Sequence, residues 1–148
     1  MPIKIYGTRQ GLPVSRRTIR DCVEFLLRAQ GIATHKAFIE ISFVDERRLK
    51  HFFMQYLGRN ASTGVLTFDL SASHTVVGTI MVSPQYIRRI AREYRSSFKK
   101  EFLRYVAHGV LNLRAVSRVR TARALRAKTY ALLTKFLKGY EAKSRGKR

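Results

Sequence analysis

The chain has 148 residues, 45% of them apolar and 26% charged, enough for one domain with a real core and too few for two comfortable ones. Thirty Lys and Arg against nine Asp and Glu leave a net charge of +21, far beyond the ~2–8 that keeps a small domain soluble, so the implied partner is a polyanion. A single cysteine, Cys22, excludes an internal disulfide and suits a reducing compartment, and no apolar run approaches the roughly 18 residues that cross a bilayer.

The first twenty residues carry Lys4, Arg9, Arg16, Arg17 and Arg20 and no acid, a composition shared with mitochondrial transit peptides. Ile3 and Ile5, however, alternate as in a strand, and Ser15 can cap a helix, which favours a folded start. Ile19, Cys22, Val23, Leu26 and Leu27 then recur at helical spacing up to a stop at Gly31. Phe38 to Val44 alternates as a strand, with Ile39, Ile41 and Phe43 on one side. Asp45 caps a second predicted helix with an inward stripe of Leu49, Phe52, Phe53 and Tyr56, ending near Gly58.

Val65 to Phe68 and Val77 to Val82 read as short apolar strands around the turn-rich Asp69 to Thr75. Pro84 opens a third helix with Ile87, Ile90 and Ala91 on one face. Lys99 to Leu113 forms a fourth, through Phe102, Tyr105, Val106 and Val110. Ala122, Leu125, Thr129, Leu132 and Phe136 mark a fifth. The pattern predicts an α+β fold, a mixed three- or four-stranded sheet packed with about five helices. Residues 1–140 are expected to form one domain and 141–148 a basic tail, with Ala142 to Arg148 disordered unless a partner is bound.

Local chemistry is sparse. His35, His51, His74 and His108 have no close metal-ligand spacing, and the chain lacks a Cys-x-x-Cys pair, a glycine-rich phosphate loop and a nucleophile elbow. Asp45, Glu46 and Asp69 are read as capping or solvated carboxylates, and a pairing of His108 with Ser117 or Asp69 as a lesser possibility. Cys22 is read as a small buried apolar group.

Several segments in order nevertheless resemble one family. Phe43-Val44-Asp45, Tyr56-Leu57-Gly58, Thr63-Gly64-Val65-Leu66-Thr67-Phe68, Gly78-Thr79-Ile80-Met81-Val82-Ser83 and His108-Gly109-Val110-Leu111 are similar to successive motifs of the YbeY endoribonucleases of ribosomal RNA maturation, over roughly residues 1–138. The resemblance implies a metal motif, His-Gly-x-Leu-His-x-x-Gly-x-Asp-His, in which three imidazoles hold a divalent ion with a position open for water.

On that motif His108 is the first ligand position, Asn112 the second, Ala115 the turn glycine and Arg118 the third. Asn112 is a poor substitute for imidazole toward zinc-like ions, and Arg118 cannot lose its proton. A guanidinium about 4 Å from a dication would be repelled by roughly 8 kcal/mol at an effective dielectric near 20. The family's arginine after the tyrosine is Leu57 here, and two family carboxylates are Gly64 and Thr79. The expectation is therefore a chain with no metal, no cofactor and no catalysis, the alternative being an active metal-dependent endoribonuclease.

Function then falls to the basic half. Residues 84–148 hold 19 basic and 3 acidic side chains, a net +16, against +5 for residues 1–83. One expected RNA-binding cluster is Arg88, Arg89, Arg92 and Arg95, with Tyr94 nearby. The other is Arg114, Arg118, Arg120, Arg123, Arg126, Lys128, Lys135, Lys138, Lys143, Arg145, Lys147 and Arg148, opposed only by Glu141. Arginine forks suit phosphate oxygens and tyrosine can stack on an unpaired base. The resemblance implies ribosomal RNA as partner, near the 3′ end of the small-subunit RNA and beside neighbouring ribosomal proteins. A basic amphipathic helix could lie on an anionic membrane, but its apolar face is needed to complete the core, so no membrane partner is expected; the expected location is cytoplasmic and ribosome-associated, the alternative being a mitochondrial or plastid ribosome.

Overall fold

The computed structural model describes residues 3–7, 11–60, 62–72 and 74–146. Four strands, β1 (Ile3–Tyr6), β2 (Ala37–Phe43), β3 (Val65–Asp69) and β4 (Val76–Val82), form one sheet in the order β1-β2-β4-β3. β1 and β4 run parallel to β2, and β3 is antiparallel to β4. The register aligns Ile5, Ile41, Ile80 and Thr67 across the sheet, so these side chains share a face. On that face Ile39, Ile41, Ile80 and Val82 are fully buried, whereas Phe38, one residue out of phase, is 53% exposed.

The helices are α1 (Arg16–Ala29), α2 (Glu46–Leu57), α3 (Pro84–Glu93), α4 (Phe98–Leu111), the short α5 (Arg114–Ser117) and α6 (Ala122–Gly146). Ser15, Asp45, Ser83 and Ser97 cap the first four by accepting a bond from an amide in the first turn. α4 is the central helix, with α1, α3 and α6 packed around it and the sheet beneath. Its Phe102, Leu103, Val106 and Val110 are wholly buried, each contributing about 1.5–3 kcal/mol by leaving water.

Two glycines set how closely the layers meet. A Cβ on Gly109 would stand 2.7 Å from Ile80 Cγ2 and 2.9 Å from Val65 Cγ2, so α4 touches the sheet with bare backbone. There the Thr67 hydroxyl donates to the Gly109 carbonyl at 2.9 Å. A Cβ on Gly64 would stand 2.7 Å from Tyr105 and 3.0 Å from Tyr86, whose rings meet edge to face at 6.2 Å. The room for a side chain at position 64 is filled by these tyrosines.

The α+β class and the mixed sheet follow the sequence expectation, with differences in the helices. There are six α-helices among the described residues rather than five, because the expected fourth stops at Leu111 and a separate short helix follows at Arg114–Ser117. Tyr56 does not face inward. It is 58% exposed, and only Leu49 of α2 is buried, because α2 packs against β3 at the sheet margin, where Tyr56 meets the edge of Phe68.

α6 runs on to Gly146, through the boundary expected at residue 140. The anchor is Tyr140, which packs on Phe136 at 5.3 Å and shares a 2.9 Å hydrogen bond with the Thr18 hydroxyl. Lys147 and Arg148 lie outside the described residues, as do the side chains of Arg114 and Arg145.

Candidate nucleic-acid interface

α4 carries Arg104, His108 and Asn112 at four-residue intervals, which puts them along one face. Asn112 is the C-cap, its amide donating to the His108 carbonyl at 2.9 Å. The chain then turns through α5, held by the amides of Val116 and Ser117 on the Leu113 carbonyl at 3.0 and 3.2 Å. It leaves α5 with Arg118 at φ 58°, a left-handed conformation that is strained for a side chain of this size and persists only where its surroundings impose it.

The imposing bonds are local. Lys128 reaches back from α6 and donates to the Ser117 carbonyl at 2.8 Å. Thr121 caps α6, its hydroxyl accepting from the Ala124 amide at 3.1 Å. The loop, the end of α4 and the first turn of α6 enclose a cleft of about 780 Å³ lined by His108, Asn112, Ser117, Arg118, Val119, Arg120, Thr121, Ala122 and Leu125. Leu125 is the buried floor. Arg118 also borders a neighbouring cleft lined by Lys36, Asp69 and His74.

His108 is held below the ordinary imidazole value, first by burial and then by the charges of Arg104 and Arg126. It is therefore neutral near pH 7. For Arg104 burial is the largest single influence and lowers the value, but the 2.7 Å bond to Glu101, the Glu101 charge and the contact with Tyr105 together outweigh it and leave the guanidinium raised.

The structure separates the two expected RNA-binding clusters. Arg118, Arg120 and Arg126 gather around His108, with Arg123 exposed on the first turn of α6. Lys128 is half-buried in its bond to Ser117. Lys135 and Lys143 lie in a groove between α6 and α1 that also holds Asp21 and Glu24, and Lys138 is exposed. On α3, Arg88 donates to the Gly11 carbonyl and lies over Phe98, while Arg89 pairs with Glu46 and Glu93. Arg92 and Arg95 are exposed there, with Tyr94 at 75%.

Sequence reasoning missed Arg104, although its four-residue spacing from His108 was visible, and missed Ser117 and Thr121 as the braces of the loop. Leu57 is exposed at the end of α2, and Thr79 is in phase with Glu40 and Phe68, on the sheet face away from Ile80. Neither joins the cleft.

The match to known proteins is extensive. The family model described as Endoribonuclease YbeY matches residues 9–115. The Endoribonuclease YbeY of Thermotoga maritima is 37% identical over 111 residues, covering 75% of this chain and 71% of that protein. Its counterpart from Chloroherpeton thalassium is 30% identical over 105 residues, 71% of this chain and 72% of its own. The chain belongs to the YbeY family. A solution structure of a Thermotoga maritima protein superposes with a TM-score of 0.66, covering 95% of this chain and 93% of that one at 23% identity, which is agreement in fold.

Membership corrects the expectation of a chain without catalysis, since the YbeY relatives it matches are endoribonucleases. That expectation equated a changed ligand set with a lost reaction. Cleavage of RNA requires a proton acceptor and stabilisation of charge on phosphorus, and side chains can provide both.

The metal implied by the YbeY resemblance is a separate matter. Of the three ligand positions only His108 is an imidazole, and among the described residues no group of three or more His, Cys, Asp or Glu is placed to hold an ion. The residues present do not fit a three-imidazole centre. Among the described residues no helix is long and apolar enough to cross a membrane.

Proposed function

We propose that this YbeY-family chain is an endoribonuclease of ribosomal RNA maturation that grips its substrate by the arginine-rich junction of α4, α5 and α6. The observation that carries the reading is the convergence of His108, Asn112, Arg118 and Arg120 on one cleft at the head of a long basic helix. His108 is the proton-transfer group of that cleft. The reaction it suits is attack of a ribose 2′-hydroxyl on the adjacent phosphorus. His108 takes the hydroxyl proton, the bond from phosphorus to the 5′ oxygen breaks, and the proton passes from His108 through water to that oxygen, leaving a 2′,3′-cyclic phosphate end and a 5′-hydroxyl end.

The basic residues exposed along α6 extend the contact beyond the scissile phosphate. The substrate in this reading is the small-subunit RNA near its 3′ end, approached on the ribosome beside neighbouring ribosomal proteins in a cytoplasmic or organellar compartment.

The test is cleavage of a small-subunit RNA transcript by the purified chain, with end-group analysis, together with sedimentation against small subunits at increasing salt. Cleavage lost in His108→Ala, and binding that weakens steeply with salt, are the expected results. Intact transcript at stoichiometric protein, or cleavage unchanged in His108→Ala, rejects the reading.

A further inference from the structure

We propose that the cleft between α4 and α6 is a binding site for one phosphodiester anion of the RNA backbone and takes the anion directly, with no bridging divalent cation. The inference rests on the RNA-directed function above and specifies how that site meets its substrate.

The sign of the local charge is the first support. Arg118 and Arg120 line the cleft, and Arg104 and Arg126 act on His108 from beside it. No carboxylate is among the lining residues. The ion pairs among the described residues engage Arg28, Arg89 and Arg104, and none engages Arg118, Arg120 or Arg126. A dication placed here meets several like charges at short range, whereas a phosphate meets their complement.

Donor geometry is the second support. Asn112 and the two guanidinium groups offer N–H donors from different elements. The first turn of α6 opens on the same space, where the Thr121 hydroxyl accepts from the Ala124 amide and its carbonyl from the Leu125 amide. The remaining first-turn amides have no partner within the helix by geometry and face the end at which a helix favours an anion.

Size is the third. About 780 Å³ is far more than a metal ion requires and lies within the range of pockets that hold small organic ligands, roughly 300–1,000 Å³. A nucleotide unit with its phosphate at the arginines fits that volume. The left-handed Arg118, held by the Lys128 brace on Ser117, borders both this cleft and the adjoining one.

The probe is inorganic phosphate, titrated into the full-length isotope-labelled chain with EDTA present and followed by amide chemical shifts. Zinc binding is measured in parallel by equilibrium dialysis. The expected result is saturable shifts at His108, Asn112 and residues 118–123, weakened about tenfold in Arg118→Gln, as for loss of one charge-assisted contact. Lys50→Gln on α2 should leave them unchanged. Arg120→Gln provides the same reading if Arg118→Gln fails to fold.

Phosphate shifts that map elsewhere, or that appear only when zinc is added at one equivalent, overturn the inference. RNA cleavage without phosphate binding in this cleft overturns it and leaves the proposed function standing. Phosphate binding here without RNA cleavage supports it while removing the proposed function.

Discussion

Replacing Lys128 with methionine tests whether the loop carrying Arg118 is held from α6. The substitution retains the apolar stem and removes the ammonium that donates to the Ser117 carbonyl at 2.8 Å. Hydrogen bonds with one charged partner contribute about 1.5–3 kcal/mol, and Lys128 is half-buried, so water replaces part of the loss and the lower value applies, about 1.5 kcal/mol. Relief of self-repulsion on lowering the net charge from +21 acts in the other direction but is largely screened beyond about 8 Å at physiological salt.

Equilibrium unfolding in urea should show a midpoint lowered by roughly 0.75 M, given a slope near 2 kcal/mol/M and no change in that slope. Lys138→Met, at an exposed position of the same helix, is the control for charge and propensity. An unchanged midpoint in Lys128→Met, or an equal shift in Lys138→Met, would refute the brace.

Gly109→Val should destabilise the fold by about 2–3 kcal/mol through overpacking, read by the same unfolding assay, because the first added carbon already meets Ile80 and Val65 below 3.0 Å. Burial pushes the Cys22 thiol up to about 12, with Asp21 adding to the effect, so iodoacetamide should label it only in denaturant; rapid native labelling would contradict its burial. His108 should titrate below 6.5 in the folded chain. Its contribution to stability is then full above the unfolded value and is lost as pH falls through the lower folded one. A ring-proton NMR titration checks this, and Arg126→Gln should raise the value.

The sheet strands and the first two helix caps were legible in the sequence because they are set by nearest neighbours. The alternation of Ile39, Ile41 and Phe43 and the capping roles of Ser15 and Asp45 need only a few residues of context. Tyr56 was misplaced because helical spacing gives a face and not what lies opposite it. The run of α6 through residue 140 was hidden for a similar reason: the Tyr140 contact with Thr18 spans 122 positions. At the cleft, the substitutions at Asn112 and Arg118 were plain in the sequence, and so was the basic character of α6. That Lys128 braces the loop, that Arg89 is neutralised by Glu46, and that the two arginine clusters lie on separate elements of the surface depended on tertiary placement.

The tyrosine that fills the space beside Gly64 ties two distant positions into one unit of inheritance. A Cβ at 64 would meet Tyr105 at 2.7 Å and Tyr86 at 3.0 Å, and a smaller residue at 105 leaves a void unless 64 grows. Either change alone is disfavoured by packing, so the pair is expected to vary together among related chains. Tyr105→Ala should make Gly64→Asp less costly than it is alone.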